Sequence, residues 1–246
     1  HGRRARRERV GERVRRMTTL ILDLETRPDP AMGIYKGDPE AFPPPPYHMV
    51  TTAAWLTIDM GSTRVAPGEV PVPPSASFGV AQGEIFALRE VARILASKPR
   101  LVTFNGRRFD LPVLTMRSLK HRVPQRALLG KDRGIDYLYR YRDDHTDVMD
   151  ALSLSGAGVN ASQHDVARML GLPGKHVGSG DAVGTMTPEQ EAAYCLDDVA
   201  QLALIYCELR RLQGVEVEPV RDLILGAIEA EPRLGALHAH LIGGAS

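Results

Sequence analysis

MTTLILDLET, residues 17–26, is a short run of leucine and β-branched side chains that ends in acidic residues and is followed by RPDP. A run this short and this apolar is a strand buried on both faces, and the prolines stop it. It is the expected first strand of the core. Within it, Asp23 and Glu25 stand at i and i+2, so their side chains leave the same face a few ångströms apart. Acidic pairs at strand ends are common, and the pair gains meaning only if further acids arrive at the ends of other elements.

Working outward, VTTAAWLTID (50–59) is a second strand entered from a proline-rich loop, and SFGVAQG (77–83) a third. EIFALREVARILASK (84–98) repeats apolar residues at 85, 88, 91, 92 and 95, which is one face of a helix. RLVTFNG (100–106) is a fourth strand, followed by RRFD and a helix over about 111–121 that tolerates Pro112 early. Short helices are expected at about 146–154 and 162–170, then the glycine-rich loop GLPGKHVGSGDAVG. The order β, β, β, α, β, α, closed by later helices, implies an α/β layered domain over 17–214. Residues 215–246 suggest one more weakly amphipathic helix and a tail.

The helix over 187–214 carries full punctuation. Thr187 is the N-cap, Pro188 takes the first position, Gln190 completes a capping box and Gly214 is the stop. On it, Tyr194 and Asp198 are one turn apart, while Asp197 is rotated by about 100° from Asp198. Since i+3 is also a neighbour, spacing leaves both aspartates open as partners of Tyr194.

Composition narrows the class. The chain has 246 residues, 43% hydrophobic and 25% charged, with a net charge of +1. No run of about 18 apolar residues occurs, so the expectation is a soluble, cytoplasmic protein. Residues 1–16, HGRRARRERVGERVRR, hold eight arginines and two glutamates, +6 in all, which leaves −5 on residues 17–246. This start has no apolar periodicity and reads as a flexible, non-native extension ahead of a natural start at Met17. Cys195 and Cys207 lie about 18 Å apart along one helix, too far to bridge, and have no partner at zinc spacing. They are expected as buried thiols.

DLE (23–25), NGRRFD (105–110) and YCLDD (194–198) together resemble the DEDD, or DnaQ-like, 3′-to-5′ exonuclease superfamily on the ribonuclease H-like fold. More narrowly, LVTFNGRRFDLPVL, HTDVMDALS, LGLPGK and YCLDDV look like stand-alone predicted exonucleases related to the proofreading domain of family B DNA polymerases. The resemblance runs from about Thr19 to Gly214. It implies that Asp23, Glu25, Asp110 and Asp198 bind two divalent metals, Mg²⁺ or Mn²⁺. All-oxygen ligands suit such hard cations, and a metal pair can activate water, neutralise phosphoryl charge and stabilise the leaving oxygen. In the family pattern Asp23 bridges the ions, Glu25 and Asp198 complete the first, and Asp110 holds the second. The Y-x-x-x-D register selects Asp198, and alanines at 192 and 193 exclude the histidine variant. Tyr194 would orient the attacking water, and Asp197 would be a neighbouring carboxylate outside the metal site.

The resemblance implies further substrate contacts. Thr26, Asn105 and Phe109 match positions near the 3′ end, where Phe109 suits either base stacking or core packing. His145 and Asp147 match a family pattern, with Asp147 either a fifth carboxylate or, the favoured reading, a helix N-cap. Lys175 suits a phosphate contact or a solvated loop position; followed by His176, it does not make a Walker loop. Arg107, Arg108, Arg140 and Arg142 offer charge for a nucleic-acid backbone. The expected partner is the 3′ end of single-stranded DNA or RNA, cleaved to nucleoside 5′-monophosphates, with DNA repair as the expected setting. The alternatives are an RNA-trimming enzyme like ribonuclease D and an inactive nucleic-acid-binding module.

Overall fold

In the computed structural model, residues 18–37, 43–61, 72–130, 136–174 and 185–243 are described. Five strands form one mixed sheet: β1 (Thr18–Pro28), β2 (His48–Asp59), β3 (Ser75–Gln82), β4 (Arg100–Thr103) and β5 (His145–Asp147). Their order is β3-β2-β1-β4-β5. β1 is central, antiparallel to β2 and parallel to β4, and β4 is parallel to β5. Eight α-helices are described: α1 (Glu84–Leu95), α2 (Asp110–His121), α3 (Arg126–Leu129), α4 (Val148–Leu152), α5 (Gln163–Met169), α6 (Pro188–Leu212), α7 (Glu218–Ala230) and α8 (Gly235–Gly243). This is the expected α/β fold, a mixed sheet flanked by helices.

Alternation along β1 sorts its side chains between two cores. Leu20, Leu22 and Leu24 pack with residues of α1 and α2 on one face, and Ile21 packs with α6 and α7 on the other. Burial on both faces is why the strand is a continuous apolar run rather than an alternating one. The same period puts Asp23 and Glu25 on the α6 face, in line with Ile21. A shift in pairing register between Glu25 and Thr26 kinks the strand just past the two acids.

α6 lies across β1 and β2. Its capping box is formed: the Thr187 side chain accepts from the Gln190 backbone N–H, and the Gln190 side chain accepts from that of Thr187. Most of its length is buried, so its sequence is apolar nearly all round.

Two local expectations differ from the structure. The segment expected as a helix from about 146 begins as the edge strand β5, and helix α4 starts only at Val148. A three-residue strand is too short to show a period of its own. Where one helix was expected beyond 214 there are two, α7 and α8, and Ile224, Ile228, Leu234 and Leu237 join the α6 core. Residues 1–16 and the glycine-rich stretch from Lys175 onward lie outside the described residues.

On the other face a buried ion network joins three elements. The Arg117 guanidinium in α2 donates to Asp29 beyond β1 (2.6 Å) and to both oxygens of Glu84 at the start of α1 (2.6 and 2.9 Å). Lys120, and then Arg117, hold the Asp29 carboxyl far below its usual range. Removing one partner of such a network leaves a buried charge uncompensated. Arg117→Met is therefore expected to lower unfolding free energy by about 3–5 kcal/mol, read as a shift of the urea midpoint; a shift under about 1 kcal/mol, the range of surface pairs, would contradict this account.

Candidate active site

The acids converge at the C-terminal end of β1. Asp23, Leu24 and Glu25 form one wall of a cleft of about 330 Å³. Asp198 of α6 joins them, Phe104 and Asn105 enter from the turn after β4, and Met149, Ala161, Ser162, Gln163 and His164 complete the lining, with Gln163 Nε2 donating to Asp198 O (2.8 Å). Ligand sites in open α/β sheets favour this end, where chains leave the strands.

Asp110 is the first residue of α2 and is buried, supported by main-chain hydrogen bonds from its own N–H and from Leu24. Burial and the neighbouring charge of Asp23 push its carboxyl well above the usual range. Its Oδ1 is buried with no hydrogen-bond partner, as is the Oδ1 of Asn105 on the cleft wall. A buried acceptor without a partner costs free energy unless something binds it. Two such acceptors beside Asp23, Glu25 and Asp198 fit a site for hard divalent cations. Among the described residues, Asp23 and Glu25 also meet Cys195: one ligand atom from each lies within 4.8 Å of the others.

The turn that carries Asn105 is tightly built. Asn105 has φ 62°, a left-handed conformation that asparagine tolerates better than most residues. A Cβ on Gly106 would lie 2.2 Å from Thr103 Oγ1, so only glycine fits there. The Asp147 carboxylate accepts from the backbone N–H groups of Asn105 (2.9 Å), Arg107 (3.0 Å) and Asp150 (3.3 Å). It caps α4 and clamps the turn at once, which is the N-cap reading in an extended form.

Other expected contacts fall elsewhere. His145 does not reach the cleft: it is 2% exposed, held by Tyr137 O at Nδ1 (3.0 Å) and Thr103 Oγ1 at Nε2 (2.8 Å). The carbonyl only accepts, so Nδ1 carries the proton, and Nε2 of the neutral ring accepts from the Thr103 hydroxyl. Arg107 is folded inward, donating to Tyr137 O (3.3 Å) and His145 O (2.5 Å). Arg140 pairs with Asp150 and Arg142 with Asp144, which leaves Arg108 as the exposed member of that set without an ion pair among the described residues. Phe109 packs against the α1/α2 core and meets His48 edge-on at 5.0 Å between centroids. The His48 ring also bonds Thr26 Oγ1 (3.1 Å) and Pro43 O (2.8 Å), so one histidine ties together two expected substrate contacts. Tyr194 is buried one turn before Asp198. Lys175 lies outside the described residues.

Asp197 proves to be a brace. It accepts from Gln201 Nε2 (2.6 Å), and Gln201 in turn pairs with both the N–H and the C=O of Gly174, each at 2.9 Å. Burial, and then the charge of Asp198, push the Asp197 carboxyl up to about 7. Gly174, at φ +71°, packs against the His164 ring that faces the cleft. Sequence reasoning missed Gln163, His164, His48 and the placing of Cys195; spacing carries no sign of them, because each reaches the site from another element.

Residues 81–221, more than half of the chain, match the model of a family described as predicted 3′-5′ exonucleases related to the exonuclease domain of PolB. The chain belongs to this family. The match starts after Asp23 and Glu25, and the fold supplies these two acids to the same cleft. A similar solved structure is the family B DNA polymerase from the hyperthermophilic archaeon Pyrobaculum calidifontis, 18% identical with a TM-score of 0.51, over 91% of this chain and 27% of the polymerase. At that identity the likeness is one of fold, and this chain spans about a quarter of the polymerase. No curated protein matches the chain.

Burial, and then the charge of Arg107, lower the His145 pKa to about 3. The unfolded chain takes up a proton on this ring near 6.5 and the folded one only near 3, so stability is lost as pH falls through that window. Urea midpoints measured between pH 7 and pH 4 should fall less steeply for His145→Gln than for the wild type. Equal slopes would refute a buried neutral ring.

Proposed function

We propose that the protein is a metal-dependent 3′-to-5′ exonuclease of the tyrosine type. It would hydrolyse the last phosphodiester bond of single-stranded DNA or RNA and release nucleoside 5′-monophosphates. The observation that carries this reading is the meeting of carboxylates from β1 and α6 around one cleft, with Asp110 of α2 buried within reach of the Asp23 charge and its Oδ1 left without a protein partner. Membership of the exonuclease family supplies the reaction class.

Asp23, Glu25, Asp110 and Asp198 would hold two divalent cations, Mg²⁺ or Mn²⁺, which when bound supply activation of water and neutralisation of phosphoryl charge. The remaining tasks belong to the chain itself. Tyr194, one turn from Asp198 on α6, is assigned the orientation of the attacking water through its hydroxyl. Asn105 lines the cleft and is assigned to the terminal nucleotide. Thr26 and Phe109, both held by His48, lie beside the acids at the end of β1 and the start of α2 and are assigned to the terminal sugar and base. Arg108 is the exposed cation of the turn and is assigned to the phosphate backbone.

The test is release of mononucleotides from an end-labelled oligonucleotide with Mg²⁺ or Mn²⁺. Asp23→Ala and Asp198→Ala are each expected to lower the rate by roughly 10³-fold or more, the scale of losing charge stabilisation in the transition state; activity that survives both overturns the assignment. The two neighbouring aspartates give a sharper comparison. Asp197→Asn should cost no more than roughly 10–100-fold, the scale of a residue that only orients others, while Asp198→Asn should be inactive. The reverse order would refute the register in which Tyr194 precedes the working acid by four.

A further inference from the structure

We propose that Tyr139 and Tyr141 form a stacking platform that holds a single strand upstream of the nucleotide in the cleft. The proposal rests on the nuclease reading for the identity of that polymer and goes beyond it in assigning a second binding surface. DYLYRYRDD, residues 136–144, interleaves tyrosine and arginine between α3 and β5. The segment belongs to no helix or strand, yet hydrogen bonds fix its shape. Tyr137 is its anchor: fully buried, it donates to Pro99 O (2.7 Å), and its own carbonyl accepts from His145 Nδ1 (3.0 Å) and Arg107 (3.3 Å). Asp136 accepts from the backbone N–H groups of Leu138 (3.0 Å) and Tyr139 (3.1 Å), and Asp144 closes the loop by accepting from that of Asp136 (2.9 Å).

These acids are used in folding the loop, and Arg140 and Arg142 pair with Asp150 and Asp144. Two large aromatic side chains remain on the outside. Tyr139 and Tyr141 are 52% and 78% exposed, with ring centroids 5.7 Å apart and planes at 70°. No other described tyrosine is exposed. An edge-on pair covers a face of only one ring, so ring faces stay open for a ligand. Such faces bind single strands with little regard to sequence, because every base has a π-face, and neighbouring arginines add to the attraction.

Location favours a nucleic acid over a protein partner. Asp147 clamps the backbone N–H groups of Asn105 and Arg107 together, and the Arg107 side chain reaches from that cleft-lining turn to Tyr137 O. Asp150 of α4 meets both Arg107 (3.7 Å) and Arg140 (3.1 Å), and its neighbour Met149 lines the cleft. The platform is thus tied to two elements that line the cleft, and Arg108 stands exposed on the same turn. A strand whose 3′ end lies at the acids has its preceding nucleotides outside the cleft, where exposed rings can stack on them.

The experiment measures fluorescence anisotropy of a labelled oligothymidylate of about 12 nucleotides, within the usual span of a single-strand site, with the full chain and Ca²⁺ as the only divalent ion. At about 1–3 kcal/mol per stacked base, Tyr139→Ala and Tyr141→Ala should each weaken binding by roughly fivefold or more. Tyr139→Phe and Tyr141→Phe keep the rings and should stay within about twofold of the wild type. Unchanged affinity in the double alanine variant overturns the proposal and assigns the two tyrosines to a protein-facing surface. Phenylalanine variants as weak as the alanine ones, or a wild type that binds no oligonucleotide, overturn it as well. Hydrolysis of the p-nitrophenyl ester of thymidine 5′-monophosphate with Mg²⁺ or Mn²⁺, a substrate that fills the cleft alone, separates this outcome from the nuclease reading. The alanine variants should hydrolyse the ester at the wild-type rate, and a parallel loss would overturn the platform. An ester left intact by the wild type counts against the nuclease reading, while the anisotropy still decides the platform.

Discussion

The central constraint on this molecule is electrostatic: carboxylates are held together at one end of the central strand, several of them out of water. Glu25, Asp110 and Asp198 are each less than a tenth exposed, and Asp23 and Glu25 bring oxygens within 4.8 Å of one another. At an effective dielectric of about 20, two like charges at that separation repel by about 3 kcal/mol. Much of the surrounding structure serves to hold these groups where they would not settle by themselves. Burial, and then the neighbouring charges of Asp23 and Asp198, make Asp110 and Asp197 bind their protons more tightly than a solvated carboxyl does.

The frame that withstands this repulsion is apolar. β1 is covered on both faces, by α6 on the acid-bearing side and by α1 and α2 on the other, so the strand cannot shift without opening two cores. Polar clamps then fix the connections. Arg117 binds the chain beyond β1 to α1 and α2, Asp147 gathers three backbone N–H groups to shape the turn before Asp110, and Gln201 holds both polar groups of Gly174. None of these clamps lines the cleft, yet Asp147 fixes Asn105 and Gly174 packs against His164, both of which do.

The long elements were legible in the sequence because each carries a complete local signal. β1 shows a run of buried residues, α6 shows its cap, its first-turn proline and its stop, and α1 shows helical spacing. β5 was not legible: three residues have no period, and Asp147 is at once the end of a strand and the cap of a helix. The same residue shows why its site role was ambiguous, since a carboxylate near other carboxylates and a carboxylate that caps a turn look alike until its hydrogen bonds are known. His145 and Arg107 were misplaced for a related reason. Each is a residue type usual in nucleic-acid sites, and each has its polar groups bound within the protein instead. α8 escaped notice because its apolar residues are spread around the helix rather than gathered on one face.

By itself the sequence determined the order and local faces of the residues proposed for the site: two acids on one side of a strand, a third at the start of a helix, a tyrosine one turn before a fourth. Periodicity is enough for that, since a strand repeats every two residues and a helix every 3.6. Only the tertiary structure decided what those faces meet. It put Cys195 against Asp23, brought Gln163 and His164 to the cleft lining, turned Asp197 away to brace Gln201, and left Asp110 Oδ1 without a partner. Such relations join residues far apart in the chain, and they follow from how α6 packs across β1, which no local spacing contains.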